Sequence, residues 1–285
     1  MSRPEALGVC PSEYYNSKES QKYDNSSRAD EIQTELSERA IELLQLHHNY
    51  PHYLLDVGCG SGISSRCIEN AGHYWVGCDI SLNMINLNVE HQQEAKHQPQ
   101  GSLICSDIGQ GLPFRPGMFD GAISISAIQW LCYSTSSEED PKRRIARFFS
   151  MLYTSLKRGS KAIFQFYPET ADQVYLLSKS ASTVGFSGGV LVDYPNSSKA
   201  KKYYLCLSYE NSYCIPRARD VVIHEYNSAE HQTGVKHRYV KRKVKKASHR
   251  LNKEWISRKK EKHKRQGKDV KLDSKYTGRK RPRAF

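Results

Sequence analysis

Tyr53-Leu54-Leu55-Asp56-Val57-Gly58-Cys59-Gly60-Ser61-Gly62 is the stretch on which the fold turns. His52–Val57 is almost continuously apolar, as a strand buried on both faces should be, and it runs straight into three glycines separated by single small residues. Glycine lets the backbone approach a ligand closely, and the N-terminus of a following helix, here Ile63–Ala71, offers free N–H groups. By itself such a turn also serves as an ordinary tight strand-to-helix connection. A nicotinamide fingerprint, GxGxxG, would need glycine at position 63, where Ile63 stands. Nor would it demand an acid just before the first glycine. Asp56 at that place suits a ligand that carries an amino group and no pyrophosphate.

Outward from this stretch, strand and helix patterns alternate. Upstream, a helix starts near Ser27 and carries Ile32, Leu36, Ala40, Leu43 and Leu44 at helical spacing. Downstream come a strand over His73–Asp79 and a helix capped at Ser81 with Met84, Ile85, Leu87 and Val89. Strands follow over Ser102–Ser106 and Phe119–Ser126. The helix Pro141–Leu156 places Ile145, Phe148, Phe149, Leu152 and Leu156 on one face, with Pro141 suited to its first turn. Ser160–Tyr167 reads as a strand, Thr170–Val184 as a helix, and Val190–Val192 and Tyr203–Tyr209 as late strands. The pattern predicts a doubly wound, mostly parallel, seven-stranded Rossmann-like α/β sheet with helices on both faces. The domain boundaries expected are a lid segment over 1–27, the α/β domain over 28–225, and a tail over 226–285.

Acids at the carboxyl ends of successive strands suit the place where open α/β sheets bind ligands. Asp79 falls where a carboxylate accepts both ribose hydroxyls, with Ile80 beside it. Asp107 follows the third strand and is expected to accept an adenine amino group, with Ile108 against the ring. The cofactor set is therefore Asp56, Gly58, Gly60, Gly62, Asp79, Ile80, Asp107, Ile108 and Ser124.

Charge divides the chain sharply. From Lys236 to Phe285 there are 22 Lys/Arg against 4 Asp/Glu, a net of +18; the first 235 residues hold 21 basic and 26 acidic groups, a net of −5. Lys241, Arg242, Lys243, Lys245, Lys246, Arg258, Lys259, Lys260 and Arg265 would bind phosphates by counterion release, without base preference. The same clusters, and Arg279-Lys280-Arg281, also fit nuclear-import signals. Lacking a consistent apolar stripe, the tail reads as disordered or as a helix that orders on its partner. No run approaches the roughly 18–20 apolar residues that span a bilayer, and the N-terminus lacks the apolar core of a signal peptide. The expectation is a soluble, unsecreted protein without membrane association. Eight cysteines without a CxxC pair argue against a zinc ribbon or a disulfide framework, and no metal is expected.

Four further segments sharpen this picture: HYWVGCDIS (73–81), GQGLPFRPGMFDGAISISAIQWLC (109–132), GFSGGVLVDYPNSSKAKKYYLCLS (185–208) and SRKKEKHKRQGKDVKLDSKYTGRKRPR (257–283). With them the chain resembles the eukaryotic 18S rRNA (guanine-N7)-methyltransferases through nearly all of residues 14–285, most thinly over Asn211–His237. The resemblance implies S-adenosyl-L-methionine as cofactor and methyl transfer to N7 of a guanine in 18S rRNA during small (40S) subunit biogenesis. It also implies a heterodimer with a small zinc-binding activator subunit, and a nuclear and nucleolar location with a cytoplasmic pool. The apolar edge strand Ser102–Cys105 is a sensible docking place for that subunit, with Phe114 and Met118 adding apolar contacts.

Guanine N7 carries a free lone pair at neutral pH and needs no general base. In keeping with this, Ser124-Ile125-Ser126-Ala127-Ile128-Gln129-Trp130 contains no acid or histidine, and no Asn/Asp-Pro-Pro-Tyr motif for exocyclic amines follows it. Trp130 and Gln129 are the candidates to hold the base, by stacking and by edge hydrogen bonding. Core packing beneath the sheet is the other reading of Trp130. Tyr14, Tyr15 and Tyr23 are expected to form a lid over the cofactor, or else are ordinary surface tyrosines. Asp193-Tyr194-Pro195-Asn196 is expected at the substrate mouth, chiefly from the resemblance. Two further functions stay open: a small-molecule methyltransferase with an import tail, and an assembly factor whose binding outweighs its catalysis.

Overall fold

In the computed structural model, residues 4–47, 49–94, 100–135, 139–197 and 200–219 are described, together with Lys260 and Lys264. Those up to 219 belong to one compact unit, Met1–His224, and the two lysines to a second, Glu225–Phe285. The remaining tail cations expected to meet RNA lie outside the described residues.

Polar helix-capping residues mark where the chain enters its first helices. A 3-10 turn, Pro4–Leu7, is followed by α1 (Pro11–Tyr14) and α2 (Ser17–Asp24), and Asn16 caps α2 by accepting from the N–H groups of Lys18 and Glu19. The longer α3 (Ser27–Leu44) is capped one residue earlier than expected, by Ser26 accepting from Ala29 N. The leading segment is thus helical and packed: α2 lies against both α3 and α5.

The strands and remaining helices follow in alternation: β1 (Tyr53–Val57), α4 (Ile63–Asn70), β2 (Tyr74–Asp79), α5 (Leu82–Glu94), β3 (Gly101–Cys105), β4 (Phe119–Ile125), α6 (Pro141–Ser155), β5 (Leu156–Phe166), α7 (Ala171–Thr183), β6 (Ser187–Asp193) and β7 (Lys202–Ser208). They pair in the order β3-β2-β1-β4-β5-β7-β6. The first five strands of that order run parallel, and β7 is antiparallel to both its neighbours. From β1 the chain winds one way to β2 and β3, then the other way from β4, so the strand order reverses between β1 and β4. That reversal leaves a crevice at the carboxyl ends of these two strands.

Side-chain alternation along each strand feeds two cores. Leu55 and Val57 of β1 join Phe148, Phe149 and Leu152 of α6 and Leu177 of α7 on one face. Leu54 of the same strand joins Leu36, Ala40, Leu43 and Leu44 of α3 and Ile68 of α4 on the other. Phe114 and Met118, expected outside as partner contacts, pack against the first core, with Phe114 edge-on to Phe119 at 4.9 Å. Both stay half-buried at the edge of that core.

The segment after β7, where the sequence shows no pattern, is tied back to α3. Buried Arg39 donates to Asp193 Oδ2 at 3.0 Å and to the Arg217 carbonyl at 3.1 Å, while Arg219 N donates to Asp193 Oδ1 at 2.6 Å. Asp193 is therefore an internal strut, and none of residues 193–196 lines the crevice. This corrects the expected position of 193–196 at the substrate mouth.

Phe148 is fully buried, with ring centroids of Phe149 and Phe164 at 5.1 and 5.8 Å. Phe148→Ala should lower unfolding free energy by about 3–5 kcal/mol, because the cavity cannot close fully. Tyr175→Ala, at a residue 68% exposed, should change it by less than about 0.5 kcal/mol. Denaturant unfolding of both variants is the check, and equal losses would contradict the assigned core.

Candidate functional site

Where β1 ends, the backbone turns through three glycines with positive φ, at Gly58, Gly60 and Gly62. Two of them are demanded by packing as well as by conformation. A Cβ on Gly58 would stand 2.2 Å from the Cβ of Ala127, and one on Gly62 would stand 2.5 Å from Asn88 Oδ1. Gly58 N and Cys59 N both donate to the Cys78 carbonyl, at 2.7 and 3.1 Å, which lashes the turn to the end of β2.

Asp79 completes this lashing. Its Oδ2 accepts from Gly60 N at 3.0 Å and its Oδ1 from Ser81 N at 2.8 Å. Burial raises its pKa above the ordinary carboxylate value, against the pull of those backbone donors. The carboxylate borders a cavity of about 270 Å³ between the β1 and β4 loops, as do Gly58, Gly60, Ile80, Asp107 and Ile108. The size and mixed lining are those of a small-molecule pocket.

Asp56 is not in that cavity wall, contrary to its expected place beside a ligand amino group. It is fully buried, and its Oδ2 accepts from Ser64 Oγ at 2.7 Å and Ser65 Oγ at 2.8 Å. Desolvation lifts its pKa to about 6, although the two hydroxyls pull it down. Pleating explains the difference: the side chain points to the α4 face, where it braces the first turn of that helix. Ser124 is corrected in the same way. It is fully buried, its hydroxyl has no partner among the described residues, and it does not line the cavity. Ser126, two residues on and in a left-handed conformation at φ 56°, lines the cavity and donates to Gln165 Oε1 at 2.8 Å. Gly62 also lies outside the wall and serves as the N-cap of α4.

Asp107 lines the cavity, but its carboxylate is already engaged. Arg144 Nη2 donates to both its oxygens at 2.9 and 3.1 Å, and Gly109 N donates to Oδ1 at 2.8 Å. Arg144, which also donates to Glu139 at 3.1 Å, was not anticipated. Its one sequence signal is a place four residues before buried Phe148, on the inner stripe of α6.

Over the opening lie aromatic side chains from the N-terminal helices. Tyr15 and Tyr23 line the cavity, and burial drives both hydroxyl pKa values up. The Tyr15 carbonyl accepts from Ser81 Oγ at 3.0 Å and Asn83 Nδ2 at 3.1 Å, clipping this segment to α5. Tyr14 stands outside the wall, with its ring 5.9 Å from that of Trp130. Trp130 itself is a half-buried wall residue, not a core residue beneath the sheet. Gln129 is buried beside it, and Glu5, a second unanticipated lining residue, accepts from its Nε2 at 2.7 Å.

Residues 55–164 match the family model described as a methyltransferase domain, and 209–283 match the one described as a methyltransferase involved in Williams-Beuren syndrome. The chain is 45% identical over 283 residues to the 18S rRNA (guanine-N(7))-methyltransferase of Mus musculus, covering 99% of this chain and 98% of that one. To the 18S rRNA (guanine(1575)-N(7))-methyltransferase of Saccharomyces cerevisiae it is 43% identical over 287 residues, covering all of both. The magnesium protoporphyrin IX methyltransferase of Synechocystis, solved with bound S-adenosylmethionine, shares the fold at a TM-score of 0.54 and 17% identity, over 74% of this chain and 99% of that one.

The environment of Asp56 makes stability depend on pH. Its folded pKa, about 6, lies above the unfolded carboxylate value of about 3.9. Its favourable contribution is therefore complete below the unfolded value and is lost as pH rises through the folded one. Asp56→Asn should gain on the wild type by about 2 kcal/mol between pH 4 and pH 7. Denaturant unfolding at several pH values reads this, and parallel curves for the two proteins would refute it.

Proposed function

The chain belongs to the 18S rRNA (guanine-N7)-methyltransferase family, and from this membership we infer that it transfers a methyl group from S-adenosyl-L-methionine to N7 of a guanine in 18S rRNA during assembly of the small ribosomal subunit. Likeness over the full length carries this reading, because it takes in the tail as well as the catalytic domain.

The residues present fit an adenosyl ligand. Asp79, a carboxylate in the cavity wall, would accept from ribose hydroxyls, Ile80 and Ile108 would offer apolar faces to a purine, and Gly58 and Gly60 leave room for close approach. Asp107, held rigid by Arg144, is a fixed acceptor at the adenine end. When bound, S-adenosylmethionine supplies an electrophilic methyl group on a sulfonium. Trp130 would stack against the target base and Gln129 would hold its edge. Held so, N7 would face the methyl with its lone pair free, and these residues would have no proton to take. The protein's contribution is alignment of nucleophile and methyl, which can supply several kcal/mol.

The tail cations supply sequence-independent grip on rRNA and a nuclear and nucleolar address, alongside a cytoplasmic pool. A small zinc-binding activator subunit would add to the free edge of β3. Half-buried Leu103 and Ile104, with Leu82 exposed to 59% on neighbouring α5, support an apolar partner there.

The direct test is to map N7-methylguanine on 18S rRNA with and without this protein; an unchanged map overturns the reading. Gly58→Val should abolish S-adenosylmethionine binding in titration calorimetry, because the side chain would displace the Ala127 loop. Deleting residues beyond Tyr239 should weaken rRNA association and flatten its salt dependence, by about 0.9 in log–log slope for each phosphate that the shortened chain no longer neutralises. Cofactor affinity should stay unchanged in that deletion. Equal loss of cofactor affinity would make the tail part of the folded domain.

A further inference from the structure

One acid in the cavity wall lies on the side of Gln129 and Trp130. Glu5, in the 3-10 turn Pro4–Leu7, is 8% exposed and borders the cavity together with Gln129 and Trp130. A carboxylate withdrawn this far from water is stable only with donors facing it. Gln129 Nε2 donates to its Oε1 at 2.7 Å and to the Ser126 carbonyl at 3.0 Å. With both amide hydrogens so directed, the orientation of the amide is settled, since the reverse would set oxygen against oxygen. Gln129 is itself 3% exposed, and its Oε1 is left buried without a partner among the described residues. The arrangement therefore holds two acceptors, a carboxylate and an orphaned amide oxygen, beside the Trp130 ring.

We propose that Glu5 reads the Watson–Crick edge of the target guanine, accepting from its N1–H and 2-amino group while the base stacks on Trp130. This rests on the guanine-N7 reading and adds a specificity-determining residue to it. Among the four standard bases only guanine presents two adjacent donors on that edge. Adenine and cytosine place a ring acceptor beside their amino group, and uracil flanks its single N–H with two carbonyls. Each would set a lone pair against the carboxylate, so the wrong base is repelled as well as unrewarded. The geometry also suits the chemistry. The Watson–Crick edge lies across the purine from N7, so a grip there leaves N7 free to meet the methyl donor. Methylation makes the ring cationic, so a negative charge at N1–H interacts more strongly with the transition state than with the bound substrate.

The test is single-turnover methyl transfer by the full chain on small-subunit rRNA carrying guanosine or inosine at the target position. Inosine keeps N7, O6 and N1–H and lacks only the 2-amino group. The wild type should favour guanosine by about 10–100-fold, the size of one charge-assisted hydrogen bond. In Glu5→Ala that preference should shrink to within about 3-fold of unity, with transfer to guanosine slowed and S-adenosylmethionine affinity held within about 2-fold. Glu5→Gln, which keeps the shape and one acceptor, should fall between the two and serves if the alanine variant does not fold. A guanosine preference unchanged in both variants overturns the proposal, as does loss of cofactor affinity in both, which would make Glu5 a strut of the cofactor wall. A wild type that methylates no guanine at N7 removes the functional reading, and the proposal with it; a wild type that does so, with Glu5 variants of undiminished preference, removes the proposal alone.

Discussion

The close approach of Gly58 to Ala127 is the constraint from which the rest of the site follows. The loops after β1 and β4 diverge from adjacent strands yet come so near that a single Cβ would stand 2.2 Å from another. That contact fixes how far the glycine turn after β1 lies from the turn after β4 that carries Ser126, Gln129 and Trp130. Parallel pairing of β1 with β4, from Leu54–Gly121 to Val57–Ser124, holds both loops at one end of the sheet. Helices on both faces seal the strands, so the crevice is the natural opening at that end.

Polar groups buried around the crevice do different jobs according to which face of a strand they leave. Asp56 looks toward α4 and braces its first turn, while Ser124 is buried away from the cavity. Asp79, at the last position of β2, looks into the crevice. Burial raises the pKa of Asp56 and Asp79 alike, but Asp56 receives two serine hydroxyls on Oδ2 alone, its Oδ1 having no partner among the described residues, whereas each oxygen of Asp79 receives a backbone N–H. The acid before the first glycine is thus held away from the cavity, and the carboxylate that borders it is 23 residues further on.

The N-terminal segment is part of the site because it supplies its roof. Tyr15 and Tyr23 border the cavity, the Tyr15 carbonyl is clipped to Ser81 and Asn83, and Glu5 reaches Gln129 across 124 residues of sequence. Such a roof excludes water from charged groups, which strengthens each of their interactions.

Much of this was legible in the residues alone. Local periodicity marked the strands and helices from α3 onward, most of them to within a residue or two, because an element buried against a sheet must repeat its apolar residues at its own period; it missed the polar helices α1 and α2 and the starts of β5 and β6, where polar and glycine residues carry no such repeat. The glycine turn and the acids ending β2 and β3 marked the crevice for the same local reason. Which of these side chains would face the ligand was a different matter. Asp56 turns away by the pleat of one residue, and Asp107 is taken by Arg144 of α6. Glu5 carries no local signal, since its meaning comes from a contact with Gln129 on the far side of the fold. Sequence determined the elements and their order, because those depend on neighbours a few residues apart. Only tertiary structure decided which polar groups meet in the cavity, because that depends on packing between segments that the chain brings together after they form.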